Sequence, residues 1–167
     1  VADFAQAHPG ITLSLTSANT QTVADRLLAC EVDIALVEGP VEDERIESRP
    51  WRDETLLIVA PPDSALAKAG TVSAADLSAV TWVVREHGSG TREVMNRWLD
   101  KLGIVPARTI EAGSTEAVIQ TVAAGGGVSM VPRVSSADQI ALGKVATLTL
   151  PGVQLTRQLY RLRLPRR

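Results

Sequence analysis

Aromatic residues make up only 3% of the 167 residues, and cysteine occurs once. The core must therefore come mostly from Val, Leu, Ile and Ala, a composition that suits parallel strands covered by helices on both faces. The lone Cys30 excludes an intramolecular disulfide and any multi-cysteine metal site. It follows Leu27 on an expected helix, where packing accounts for it. No stretch reads as a signal peptide, and no apolar run is long enough to span a bilayer. A net charge of −2 argues against a chain that grips nucleic acid through its phosphates. Arg157, Arg161, Arg163, Arg166 and Arg167 near the end are read as the solvated face of a strand plus a frayed terminus.

Catalytic signatures are also scarce. Gly88-Ser-Gly90 lacks the third glycine of a dinucleotide fingerprint, no phosphate-loop lysine follows it, and no G-x-S-x-G elbow occurs. Histidine occurs twice, at His8 and His87. Ser89 as nucleophile with His87 as base can be written down, but neighbours in one turn seldom face each other and no acid is placed to orient the ring. His87 fits better as a ligand contact or as a solvated loop residue. The acidic loop at 38–44 matches no calcium-loop spacing. The inventory thus points to no enzyme, no metal and no cofactor.

What is present is an alternation of strands and helices. Residues 1–10 read as the last turns of a helix stopped by Pro9 and Gly10, so the chain is expected to be part of a longer protein. Ile11, Leu13 and Leu15 alternate with polar residues as in a half-buried strand. Ser17-Ala-Asn-Thr20 offers turn and N-cap chemistry before a helix through Val23, Ala24, Leu27 and Leu28. Residues 32–37 then form a second strand, which makes a βαβ unit with parallel strands. Residues 56–60 form a strand ended by Pro61 and Pro62, expected as the crossing between two lobes. Ser73-Ala-Ala-Asp76 fits a capping box for a short helix.

From residue 80 to 131 the pattern is β-α-β-α-β, a second parallel unit. Its first turn is Gly88-Ser-Gly-Thr91, with Ser89 as N-cap of a helix over 94–102 closed by Gly103. Its second is Gly113-Ser-Thr115, with Ser114 as N-cap, and Gly125-Gly-Gly127 stops the following helix. A short helix over 136–142, a strand over 144–150 and a closing strand through Tyr160, Leu162 and Leu164 complete the reading, the last expected to return beside 56–60. Two lobes and a cleft follow. The turns at 17–20, 88–91 and 113–115 lie at strand ends, where open α/β sheets bind ligands. Converging helix starts favour a small anion.

These motifs come in a recognisable order: Asp33-Ile-Ala-Leu-Val-Glu-Gly39, Arg85-Glu-His-Gly-Ser-Gly-Thr-Arg-Glu93, Gly113-Ser-Thr-Glu-Ala117, and Ala124-Gly-Gly-Gly-Val128 leading to Val131-Pro132. Together they resemble the effector-binding domain of LysR-type transcriptional regulators, over nearly the whole chain. Within that family the Gly-Ser-Gly-Thr turn is most similar to that of regulators of carbon fixation and of sulfur or nitrogen metabolism. The resemblance implies an α/β fold of two Rossmann-like lobes joined by crossover strands, type II periplasmic-binding-protein-like, with the first strand of lobe one lacking. Lobe one would comprise 1–61 with 159–167, and lobe two 62–158.

The resemblance further implies a cytoplasmic regulator that senses a small metabolite and assembles as a dimer or tetramer. It would touch DNA only through an N-terminal winged helix-turn-helix absent from this chain. Carried over residue by residue, the cleft would be lined by Ala18, Asn19 and Thr20, by His87, Ser89, Gly90 and Thr91, by Ser114 and Thr115, and by Val131 and Pro132. At His87 the family pattern leads one to expect proline. The competing expectation is a solute-binding protein of a transport system with the same fold.

Overall fold

The structure, a computed structural model, describes residues 1–165. Its elements in chain order are α1 (Ala2–Ala7), α2 (Thr20–Leu28), β1 (Ala35–Val37), β2 (Glu47–Ala60), α3 (Ala65–Ala69), α4 (Ala74–Ser78) and β3 (Thr81–Arg85). They continue with α5 (Gly90–Leu102), β4 (Arg108–Ala112), α6 (Thr115–Ala123), β5 (Ser129–Pro132), α7 (Arg133–Ala141), β6 (Ala146–Leu148) and β7 (Thr156–Arg163).

One strand serves two sheets. From Glu47 to Thr55, β2 pairs antiparallel with β7, whose other edge carries β1 in the register Ala35↔Leu162. From Leu56 onward it pairs with β5 on one edge, and at Ile58 it also takes up β6 on the other. The partner changes between Thr55 and Leu56, so the chain crosses from one packing unit to the next inside an unbroken strand. Beyond it, β3 and β4 run parallel, and Val128 joins them through a parallel bridge to Trp82. The β-α-β-α-β order expected from the sequence is present, but its third strand pairs with β3 only through Val128, while β5 itself pairs antiparallel with β2.

The alternation of β3 divides its side chains between two cores. Trp82 and Val84 pack with Val94, Met95 and Leu99 of α5, whereas Val83 packs with Val118, Ile119 and Val122 of α6. Trp82 is fully buried and its indole Nε1 donates to the Leu77 carbonyl at 2.8 Å, so α4 and β3 are locked together without an unmet polar group. A third cluster gathers Ala24 and Leu27 of α2 with Ala35, Val37, Ile46 and Leu162.

Several elements differ from the sequence reading. Residues 11–15 form no strand, and Ile11, Leu13 and Leu15 are 51%, 44% and 81% exposed. The alternation is there, but no neighbouring strand edge reaches it, and an extended segment without a ladder partner does not become a strand. The first βαβ unit is therefore not formed; β1 instead lies antiparallel to β7. β2 starts at Glu47, well before the apolar 56–60, through polar residues held by pairing with β7 rather than by burial. Pro50 is accommodated by an irregularity between Pro50 and Arg52. β7 accordingly returns beside 47–55 and not beside 56–60.

The short α3, capped by Ser64, was not expected, and α7 opens earlier than expected, behind Pro132. Cys30 is exposed with φ 60°, one residue past the cap of α2. There Cys30 N donates to Leu27 O and Glu31 N to Arg26 O, the pattern that closes a helix with a left-handed residue. It is exposed rather than packed, with its Sγ 4.0 Å from the Leu28 carbonyl oxygen.

Gly127, at φ 135°, is the tightest backbone approach: a Cβ there would lie 2.2 Å from the Thr81 carbonyl oxygen. That closeness lets Val128 enter the ladder beside β3. Gly127→Ala is expected to lower unfolding free energy by about 2 kcal/mol or more, since strain and a lost bridge add. Urea denaturation followed by far-UV circular dichroism measures it.

Candidate functional site

The site is built at the C-terminal end of β3. Arg85 closes that strand, and Glu86 follows it. The Arg85 guanidinium donates to Glu86 through Nε (2.8 Å) and Nη2 (2.9 Å), and through Nη1 to the Thr115 hydroxyl at 3.1 Å. Asn19 Nδ2 donates to Glu86 Oε1 at 3.4 Å. These two side chains thus tie together the starts of α2 and α6 at the end of β3.

Each helix start is capped as its sequence dictates. Asn19 accepts from Thr22 N, Ser89 from Arg92 N and Ser114 from Ala117 N. Gly90 has no room for a side chain: a Cβ would lie 2.6 Å from Thr20 Oγ1. Gln21 N also donates to the Gly88 carbonyl at 3.3 Å, so the first two turns abut directly. Arg85, Thr91, Thr115, Ser129 and Val131 border a cavity of about 10 Å³, room for at most a single water.

The charges are set by proximity. The Arg85 guanidinium holds the Glu86 carboxyl down at a pKa of about 2, with Asn19 adding to the effect, and Glu86 in turn raises the pKa of Arg85. The side chains are 13% and 23% exposed, and the starts of α6 and α2 reach them through Thr115 and Asn19. Arg92 Nη1 adds a bond to the Arg85 carbonyl at 2.9 Å and one to Glu111 at 2.7 Å.

Behind this, Arg157 of β7 is 8% exposed. Its Nε and Nη2 reach Glu54 Oε2 at 2.7 and 2.6 Å, and its Nη1 donates to the Thr91 hydroxyl at 2.9 Å. This overturns the reading of Arg157 as part of a solvated face; Arg163 pairs with Glu47, Arg161 is exposed, and Arg166 and Arg167 lie outside the described residues. The buried Ser129 donates its hydroxyl to the Val83 carbonyl at 2.7 Å.

Of the residues expected to line a cleft, the structure brings Asn19 and Thr20 against Gly88 and Gly90, and Thr91, Thr115 and Val131 around the small cavity. Ser89 and Ser114 serve as caps beside it. Ala18 and His87 are exposed, and Pro132 is buried where β5 passes into α7. Arg85, Glu86 and Arg157 were missed as site residues. For Arg85 a signal existed, since the last residue of a parallel strand before a helix-opening turn is a place from which ligands are reached. Among the described residues no group of His, Cys, Asp and Glu could hold a metal ion, and no helix is long and apolar enough to cross a membrane.

Comparison with known proteins identifies the class. The family described as LysR substrate binding domain matches residues 1–167, and the chain belongs to it. The Escherichia coli K12 protein named uncharacterized HTH-type transcriptional regulator YeiE is 34% identical over 164 residues, covering 97% of this chain and 55% of that protein. The RuBisCO operon transcriptional regulator of Allochromatium vinosum is 33% identical over 160 residues, covering 96% of this chain and 53% of its own length. The chain thus spans about half the length of the curated relatives it matches.

Among solved structures, the regulatory domain of Synechocystis CcmR in complex with 2-PG superimposes with a TM-score of 0.87 at 27% identity, covering 99% of this chain and 80% of that one. The effector binding domain of QuiR in complex with shikimate gives 0.86 at 21%, covering 99% and 79%. The α/β fold is that of LysR regulatory domains, type II periplasmic-binding-protein-like.

Two outcomes are expected. Glu86 sits near 2 in the folded chain against an ordinary 4.5, so its ionised form stabilises the fold fully above pH 4.5, and the contribution is lost as pH falls toward 2. Glu86→Gln should therefore be less stable than the wild type at pH 7, with the gap closing between pH 4.5 and 2; urea midpoints at several pH values report it. Arg157→Ala strands the Glu54 carboxylate, whose side chain is 14% exposed, and should cost about 3 kcal/mol. Pairing Arg157→Met with Glu54→Leu should recover much of that, as thermal unfolding would show.

Proposed function

We propose that this chain is the effector-sensing domain of a bacterial LysR-type transcriptional regulator, binding a small anionic metabolite where the starts of α2, α5 and α6 meet. The observation that carries this is Arg85, a guanidinium only 13% exposed, set at a strand end beside two helix starts. A bidentate guanidinium suits a carboxylate or phosphate better than any neutral ligand. Ser89, Gly90, Thr91, Ser114 and Thr115 supply hydroxyl and backbone donors around it, Asn19 and Thr20 close the far side, and Val131 offers an apolar wall. Ala18, His87 and Pro132 are left at the margin. Glu86 pairs with Arg85 and has to yield when an effector enters.

The division that best serves this is a lobe of 1–61 with 159–167 and a second of 62–158, joined by β2 and β7. Support comes from β2, whose partner changes midway. An effector that prefers one arrangement of the lobes shifts the population toward it, by no more than its differential affinity allows. In a dimer or tetramer that shift alters subunit geometry and, through an N-terminal helix-turn-helix, transcription. Such a protein works in the cytoplasm, binds without catalysis, and meets DNA only through that other domain. The names of the relatives as transcriptional regulators, and the 2-PG complex of the structural neighbour, favour this over a transport protein.

The test is a thermal-shift panel of small carboxylates, phosphates and sulfates against the natural-length protein. A hit should raise the melting temperature in proportion to the logarithm of its concentration. Arg85→Ala should weaken that hit on the order of tenfold or more while the unliganded protein still melts cooperatively. A response untouched by Arg85→Ala would remove this site from the mechanism.

A further inference from the structure

A larger cavity, about 260 Å³, opens on a different face of α5, between that helix, β7 and the loop after β1. Its helical wall is Val94, Arg97, Trp98 and Lys101, the i, i+3, i+4, i+7 stripe of one face. Arg157 and Tyr160 of β7 also line it. We propose that this is a second ligand site, separate from the cleft beside Arg85, for a small flat carboxylate.

Three observations carry it. The aromatic wall is fixed before any ligand arrives: Trp98 Nε1 donates to the Thr156 carbonyl at 2.9 Å, which pins the indole between helix and strand. A flat apolar body meets Trp98 and Tyr160 at little reorganisation cost. Second, two cations at the wall are uncommitted. Among the described residues neither Arg97 nor Lys101 has a carboxylate partner; Lys101 Nζ only overlies the Trp98 ring, 4.9 Å from its centroid. The acid in the wall, Glu38, accepts from the Thr20 hydroxyl at 3.2 Å. The planar fork of Arg97 matches a carboxylate, and Lys101 adds charge that selects against cations.

Third, the position is one where a ligand touches both α5 and β7. Arg157 borders this cavity and bonds Thr91, which lines the small cavity beside Arg85. Occupancy here is a separate matter from the effector reading: the site stands on Arg97, Lys101 and Trp98, none of which touches Arg85.

The experiment is calorimetric and NMR titration of the natural-length protein with 4-hydroxybenzoate, and with 4-hydroxybenzamidine as the cationic counterpart. The carboxylate should bind and move the Trp98 indole N–H resonance, leaving those of the buried Trp82 and of Trp51 in place. The amidine should not bind. The double variant R97E/K101E, both positions exposed, should weaken binding about tenfold or more while the protein still melts cooperatively. Arg85→Ala should leave the affinity within about twofold, since that residue belongs to the other site. The proposal is overturned by no binding at millimolar ligand, by binding that ignores R97E/K101E, or by binding that Arg85→Ala abolishes. The last result would place the carboxylate in the cleft and leave the effector reading standing.

Discussion

The guanidinium of Arg157 sits where the molecule changes from one packing unit to the next. It binds Glu54 on β2, one residue before the partner of that strand begins to change, and it holds Thr91 in the first turn of α5. Burying a charge is costly unless its partner and its remaining donors are satisfied, and here a carboxylate and a hydroxyl take up the fork. The result is a fixed distance between the crossover strand and the helix start on which the proposed anion site depends. Ordinary apolar packing would stabilise the same junction but would not fix which turn of α5 faces the site.

On that platform the proposed anion site is held by a charge of its own. Glu86 gives Arg85 a bidentate partner and keeps the carboxylate ionised far below ordinary pH. A buried cation at converging helix starts would otherwise go unpaired, and an unpaired buried charge is more costly than a paired one. An effector at the proposed site would compete with an internal carboxylate, so the free energy of binding would be the difference between two anions, not the full attraction of the site. Such a difference is selective as well as modest, because a ligand that cannot reach Thr115 and the backbone donors gains nothing over Glu86.

Much of this was legible in the sequence where local chemistry decides. Asn19, Ser73, Ser89 and Ser114 cap the helices their positions announce, and β3 and β4 are turn-bounded runs that pair in parallel. What was not legible depended on partners distant in the chain. The alternation of Ile11, Leu13 and Leu15 is a strand pattern without a strand edge to join, whereas the polar start of β2 is a strand because β7 pairs with it. Arg157 on sequence is one of several basic residues on an alternating strand. Only Glu54 and Thr91, 103 and 66 positions away, make it a buried hub. Arg85 hid in the same way, as a charged residue flanking a motif whose small residues drew attention first.

The proposed anion site joins the starts of α5 and α6 around Arg85. The most direct measurement is backbone amide shift mapping while the natural-length protein is titrated with a small anion that raises its melting temperature. The amides of Ser89, Gly90, Thr91, Ser114 and Thr115 should move together, with one dissociation constant shared with the Arg85 side-chain Nε–H. A single site there is ruled out if those amides stay still while the anion binds, or if the two helix starts titrate with different constants.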